Sequence, residues 1–165
     1  MRLPDGRLTA LLRTLRGEQG STMVEFALSA VVLLTLIFGI LGMCLALYSY
    51  HYVADASREG TRYAIVRGKD CSTYGNFSSD CPVVNSSAVQ TYVRGLSFPG
   101  INSSNLVVNA AWSVNGTTWS STANPNNVPG DLVKVTVSYQ LPMAIPFVPA
   151  RTLTMSSTSE MVIAD

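Results

Sequence analysis

One carboxylate stands at the start of a long apolar stretch. Glu25 is followed by a run rich in Leu, Ile and Val, and no side chain between it and Asp55 carries a formal charge unless His51 is protonated. A lone carboxylate at bilayer depth costs about 2.5–3.5 kcal/mol on insertion scales, and a nearby cation would relieve that cost. The residue therefore suggests ion pairing in or near a membrane. The alternative is a glutamate at the membrane boundary whose side chain extends into water.

The stretch that positions Glu25 has the pattern of a membrane-spanning helix. Its uncharged part of about 25 residues, at about 1.5 Å per residue, is long enough to cross a hydrocarbon core of about 30 Å. No polar face recurs in it at the helical period of about 3.6 residues, which a water-soluble helix would need. We expect the helix to leave the bilayer and continue to Arg67, because no proline interrupts it and Gly68 is suited to end it.

Composition limits the class of protein. A chain of 165 residues allows one modest domain in addition to a membrane element. The net charge of +1 argues against a nucleic-acid partner, which usually requires a clustered basic surface. His51 is the single histidine, and the chain has no GxSxG, Walker or HExxH motif, so we expect no enzyme activity and no cofactor.

The cysteines indicate a compartment. Cys71 and Cys81 lie in a polar loop without a CxxC motif or a companion histidine, which argues against a zinc or other metal site. A disulfide that closes this loop is the preferred interpretation, and it would place the loop outside the cytosol. Cys44, inside the apolar run, is expected to pack as a small apolar side chain.

The residues before the span form a basic leader. Its charged residues are Arg2, Asp5, Arg7, Arg13, Arg16 and Glu18. The excess of arginine favours a cytoplasmic location under the positive-inside tendency, although the bases that follow the span make the count indecisive. The acids among those later bases, together with the expected disulfide, favour a cytoplasmic amino terminus and an extracytoplasmic remainder.

The leader ends at Gly20, which is followed by four uncharged residues, by Glu25 and by Phe26. This order resembles the precursors of type IV pilins, which a prepilin peptidase cuts after the glycine. A cut there would free the α-amino group of Ser21, whose reference pKa of about 8 makes it largely cationic at neutral pH. An ammonium from a neighbouring helix, offset by about one turn, would pair with Glu25 and set the register of assembly.

Longer stretches resemble the TadE-like proteins, which are minor pseudopilins of the bacterial tight-adherence (Tad/Flp) pilus system. The similar stretches are residues 16–28, the element Arg58-Glu59-Gly60-Thr61-Arg62-Tyr63-Ala64, and a closing segment over 130–155. Residues 70–129 carry no such resemblance. Members of the family often have a second acid and an arginine late in the span, whereas residues 41–45 here are uncharged.

The resemblance implies a single-pass subunit of the bacterial inner membrane that is needed to assemble or prime an adhesive pilus. Its implied partners are the prepilin peptidase, other pilin or pseudopilin subunits, the inner-membrane assembly platform and the lipid bilayer. The tip, the shaft and the platform all stay open as its location.

A charged patch follows the span. Asp55–Arg58 and Glu59–Arg62 are spaced i, i+3, opposite an apolar stripe that includes Val53. One interpretation is a solvated helix face with weak ion pairs, and the other is a contact face for another subunit in which Arg58, Glu59 and Arg62 take part.

The rest of the chain predicts an α+β fold of the pilin-like kind, with the long helix packed on a small antiparallel sheet. The predicted elements are a short helix capped by Asn85 or Ser86, a strand over 106–114, an Asn115-Gly116 hairpin into 117–120, an alternating strand over 132–141, and a strand over 152–163. The expected division is a leader (1–20), a transmembrane and extended helix (21–68), and an exported domain (69–165).

Two other functions fit the same pattern less well. The first is a permanently membrane-anchored extracytoplasmic binding domain that does not polymerise. The second is a membrane-bound hydrolase, which would need a polar cleft containing strongly perturbed titratable groups.

Overall fold

The computed structural model describes residues 19–74, 81–96, 98–123, 127–143 and 149–164. All but the last two residues of the expected leader lie outside this part of the chain. The described elements are helices α1 (Gln19–Ile65), α2 (Cys71–Tyr74) and α3 (Ser86–Gly95), a 3₁₀ turn (Ser103–Asn105), and strands β1 (Leu106–Ser113), β2 (Leu132–Met143) and β3 (Arg151–Val162).

The three strands form one antiparallel sheet in the order β1-β2-β3. β2 alternates as its sequence predicts, because Val133, Val135, Val137 and Tyr139 are buried while the residues between them are half-buried. In the register, Val137 lies opposite Val108 of β1 and Ser157 of β3, so these positions share the face that the helices cover.

The second half of α1 packs on this sheet along the predicted stripe. Val53, Ala56, Tyr63 and Ala64 are all buried. Gly60 lies at the closest approach: a Cβ atom there would be 2.9 Å from Val93 Cγ2 of α3 and 3.1 Å from Val135 Cγ1 of β2. A glycine is therefore required for α1 to reach the sheet and the short helix together.

The short helix α3 has the predicted cap. The Asn85 side chain accepts a hydrogen bond from Ala88 N (3.2 Å), which satisfies one of the backbone donors left free at the helix start. Val89 and Val93 then point into the core, and the ring of Tyr92 stacks on Tyr63 of α1 with centroids 4.1 Å apart.

The predicted strand over 117–120 is wrong. Its contact with β1 is an isolated bridge between Trp112 and Ser120, and Gly116 (φ +72°) lies in a wider loop. The reason is local: the Asn115 side chain accepts hydrogen bonds from Thr117 N and Thr118 N, which bends the backbone after the turn away from a strand.

The α+β class is confirmed, as a long amino-terminal helix followed by a small antiparallel sheet of three strands. α1 ends at Ile65, earlier than the expected Arg67, whose N–H donates to the Ala64 carbonyl (3.2 Å) in a closing turn. Part of the proline-rich connector between β2 and β3, residues 144–148, lies outside the described residues.

Candidate functional site

The Gly20–Ser21 peptide bond lies in the first turn of α1. Both residues are exposed, and an added Cβ at Gly20 would meet no atom within 4 Å. The backbone here is therefore uncovered by the part of the chain that the structure describes.

Glu25 lies one turn further along the same helix and is exposed. The ion pairs among the described residues, Asp55–Arg58 and Glu59–Arg62, do not include it. Arg58 is 33 residues away along a continuous helix, a distance of about 50 Å at about 1.5 Å per residue. Within the described residues, this carboxylate has no cationic partner.

The apolar side chains around Glu25 are equally uncovered. Met23 is 77% exposed and Phe26 is 76% exposed. The apolar stretch from residue 20 passes the length and composition test for a membrane span, and none of its most apolar window is buried inside the protein. The described residues thus leave this half of the helix uncovered, which is compatible with an apolar environment such as lipid or other helices.

The element over residues 58–64 divides into two sets by burial. Gly60, Tyr63 and Ala64 face the fold, whereas Arg58 and Arg62 face solvent. Arg62 contacts Glu59 at 3.2 Å, with side chains 66% and 45% exposed. The Asp55–Arg58 pair is 3.5 Å long and similarly exposed. Such pairs contribute about 0–1 kcal/mol each, so the charges add little to the stability of the chain.

Thr61 in the same element has a role that sequence reasoning missed. Its hydroxyl donates to the Ser57 carbonyl (2.8 Å) and lies 3.3 Å from the Ser159 carbonyl of β3. Ser57 Oγ in turn lies 3.2 Å from Ser157 Oγ. The helix–sheet contact at β3 is therefore polar. The sequence signal for it is that Ser57 and Thr61, spaced i, i+4, lie beside the apolar stripe that packs on the sheet.

The cysteine loop is anchored to the loop that precedes β2. Cys71 is buried and is joined to Cys81, with Cα atoms 6.1 Å apart. Lys69 N donates to the Asn127 carbonyl (2.9 Å), and Asn127 Nδ2 donates to the Val83 carbonyl (3.3 Å). No local sequence pattern indicates this role of Asn127, because both of its hydrogen-bond partners are more than 40 residues away along the chain.

The described residues include no group of three or more His, Cys, Asp or Glu side chains that could hold a metal ion. His51 is exposed on α1. The buried acid Asp131 has a structural contact, since its Oδ2 accepts from Val128 N at 3.2 Å and closes the turn before β2.

Comparison with known proteins gives a match over the long helix. Residues 20–62 match the family model described as TadE-like protein. No curated protein and no solved structure matches the chain. The matched residues begin at the glycine before the exposed bond, include Glu25, and end at Arg62 of the second ion pair. The match confirms, for this stretch of the chain, the resemblance to the TadE-like family that its sequence predicts.

Proposed function

We propose that this chain is a pseudopilin-like structural subunit of a Tad-type adhesive pilus, cut by a prepilin peptidase between Gly20 and Ser21. The match to the TadE-like family suggests involvement in the Tad pilus system, and the family is a structural one. The single long apolar helix is compatible with a single-pass membrane anchor. The specific subunit role, the processing and the partners are the steps that we add.

The observation that carries the proposal is the isolation of Glu25. The carboxylate is exposed at the start of an apolar helix and has no cation among the described residues. Cleavage after Gly20 would place a new ammonium four residues before it, on Ser21. In the proposed assembly, this ammonium pairs with the Glu25 carboxylate of a neighbouring subunit.

The spacing sets the geometry of assembly. Four residues correspond to about 6 Å along a helix. Two neighbouring subunits would therefore be displaced axially by about one turn, with the Ser21 ammonium of one level with the Glu25 carboxylate of the other. Opposite charges attract more strongly in a low-dielectric environment than in water, which would favour this register.

The topology follows from the same elements. The arginine-rich leader stays on the cytoplasmic side of the inner membrane, and the domain that contains Cys71 and Cys81 lies on the extracytoplasmic side, where a disulfide persists. The partners are the prepilin peptidase, other pilin or pseudopilin subunits, and the inner-membrane assembly platform.

Sequencing the amino terminus tests the processing step. The chain is expressed in cells with an active prepilin peptidase and in cells with an inactive one, and intact mass and terminal sequence are measured. We expect Ser21 as the first residue in the former and Met1 in the latter. Met1 in both would overturn the processing claim.

Substitution of Glu25 tests the assembly step. Glu25→Ala should leave membrane insertion intact and strongly reduce piliation, because the neighbouring ammonium loses its partner. Glu160→Ala is the matched control, since it removes an exposed carboxylate from β3, far from the apolar half of the helix. Normal piliation in the Glu25 variant would instead support the second candidate, an anchored extracytoplasmic binding domain.

A specific observation favours that second candidate. Glu25 lies at the boundary of the apolar stretch and is exposed, so a water-facing side chain explains its position without any partner. An anchored domain would retain the leader, whereas the assembled subunit would not.

A further inference from the structure

The β2–β3 hairpin runs alongside α1 toward the apolar half of the helix. Leu141, Pro142 and Met143, at the end of β2, line a cavity together with side chains from residues 38–45 of α1. Met143 pairs with Arg151, where β3 begins. We call residues 141–143 and 149–153 the hairpin end. It lies beside a part of α1 that contains no charged residue.

The hairpin end is apolar and uncovered. Pro142, Pro149 and Ala150 are exposed, and Leu153 is 42% exposed. Arg151 is its one charged residue. The opposite end of the same sheet differs, because Asp131, Lys134 and Glu160 are placed there. The sheet is therefore polarised, with its apolar end toward the span.

The length of α1 gives the depth of the hairpin end. A hydrocarbon core of about 30 Å requires about 20 helical residues, so a span that starts at Met23 reaches its outer limit near Gly42. Gly42 is among the residues that line the cavity with Leu141 and Pro142. The hairpin end is thus level with the outer boundary of the bilayer.

The next part of the helix is already occupied by the folded domain. Tyr48 Oη donates to the Pro99 carbonyl (3.1 Å), and the ring of Tyr52 packs edge-on against Phe98 with centroids 4.7 Å apart. These contacts begin less than two turns beyond Gly42. The domain therefore sits directly at the membrane boundary, without an intervening stretch of bare helix.

The free edge of β3 limits how deep the hairpin end lies. An unpaired strand edge cannot enter hydrocarbon, because its N–H and C=O groups would lose hydrogen bonds. The interfacial layer supplies such partners, and an arginine there pairs with lipid phosphates while its aliphatic stem stays in apolar surroundings. Proline at positions 142 and 149 removes two donors.

We propose that the hairpin end is a second membrane contact of this chain, seated in the outer interfacial layer of the bilayer beside residues 38–45. The occupant of the exposed apolar surface is lipid, with Arg151 directed at the headgroup phosphates. The inference rests on the membrane span of the proposed function and does not require processing or polymerisation.

Spin labels on single cysteines test the contact. The full-length chain, with Cys44→Ser and the Cys71–Cys81 pair oxidised, is reconstituted at low protein density into vesicles of phosphatidylethanolamine and phosphatidylglycerol. Labels are attached at Ala150→Cys, at Leu33→Cys in the span, and at Val162→Cys. Val162 is a matched control, since it is an exposed residue at the other end of β3, about 40 Å from Ala150 along the strand. Circular dichroism verifies that each variant is folded.

Collision rates with oxygen, which concentrates in lipid, and with a water-soluble nickel chelate report the depth of each label. We expect the oxygen-to-nickel ratio at Ala150 to be severalfold higher than at Val162 and lower than at Leu33. A ratio at Ala150 equal to that at Val162, with Leu33 still in lipid, would overturn the inference alone. Aqueous values at all three positions would overturn the membrane span as well. Low collision rates with both reagents at Ala150 would mean that another protein copy covers the hairpin end, and this result too would contradict lipid contact.

Discussion

The two halves of α1 share one backbone but have opposite surroundings. In the first half, large apolar side chains such as Met23 and Phe26 are more than three-quarters exposed, whereas in the second half Val53 and Ala56 are at most 1% exposed. The apolar side chains of the second half pack against the sheet and the short helix α3. The other described residues do not cover the first half, so substitutions of the same type should have different effects in the two halves.

The largest difference is expected at two glycines. Gly60→Leu forces a side chain against Val93 and Val135 and should lower the free energy of unfolding by about 3 kcal/mol. Gly39→Leu is the matched control, because an added Cβ there meets no atom within 4 Å and the gain in helix propensity is the same. Urea unfolding of the full chain in detergent, followed by tryptophan fluorescence, measures both. Equal decreases in the free energy of unfolding for the two variants would contradict the division of α1 into a packed and an uncovered half.

A truncation tests the same division with the opposite change in volume. Val53→Ala removes two buried methyl groups and leaves a cavity, so it should cost about 2 kcal/mol. Val32 is 62% exposed, and Val32→Ala should leave the unfolding of the domain unchanged. The comparison uses the same unfolding assay, and a loss in the Val32 variant would indicate that the first half also packs within the chain.

The exposed ion pair should separate stability from assembly. Arg62→Gln removes a pair whose side chains are about half to two-thirds exposed, so the free energy of unfolding should fall by less than about 1 kcal/mol. If this surface contacts another subunit, piliation decreases while unfolding is nearly unchanged. If it is a solvated face, both stay at the level of the unsubstituted chain. The two measurements on one variant therefore decide between the interpretations left open by the sequence.

The smallest effect is expected at alkaline pH. Burial raises the pKa of Tyr52 above its ordinary value of 10.0, and Tyr139 and Tyr48 add to this rise. The unfolded chain therefore loses this proton first, so the contribution of Tyr52 is complete below about pH 10 and is lost as pH rises through the folded pKa. Tyr52→Phe should weaken the fall in stability above about pH 10. An identical alkaline profile would show that this phenol does not contribute.

Local periodicity predicts most of this fold. The alternation in β2, the stripe through Val53 and Gly60, and the cap at Asn85 are each set by neighbours within a few residues, and each is found as expected. The predicted hairpin after Asn115 is wrong because the Asn115 side chain accepts hydrogen bonds from Thr117 N and Thr118 N, which widens the turn into a loop. The partners of Asn127 are distant in sequence, so no local pattern indicates them.

For the candidate site, the limit on prediction is of a different kind. The order of Gly20, Glu25 and the apolar run is visible in the sequence, and the family match covers it. The partner that Glu25 requires belongs to another subunit in the function proposed here. A single chain therefore shows the Glu25 carboxylate and the Gly20–Ser21 bond, but not the contact between subunits that the proposed function requires.

The continuity of α1 has a mechanical consequence. Its 47 residues form one uninterrupted rod of about 70 Å, anchored at the outer end by a folded body. A force applied to that body is transmitted along the axis without a hinge to absorb it. Lifting the folded domain by a few ångströms would therefore raise the Glu25 carboxylate by the same amount, and in the proposed assembly it would draw the helix out of the bilayer along its own axis.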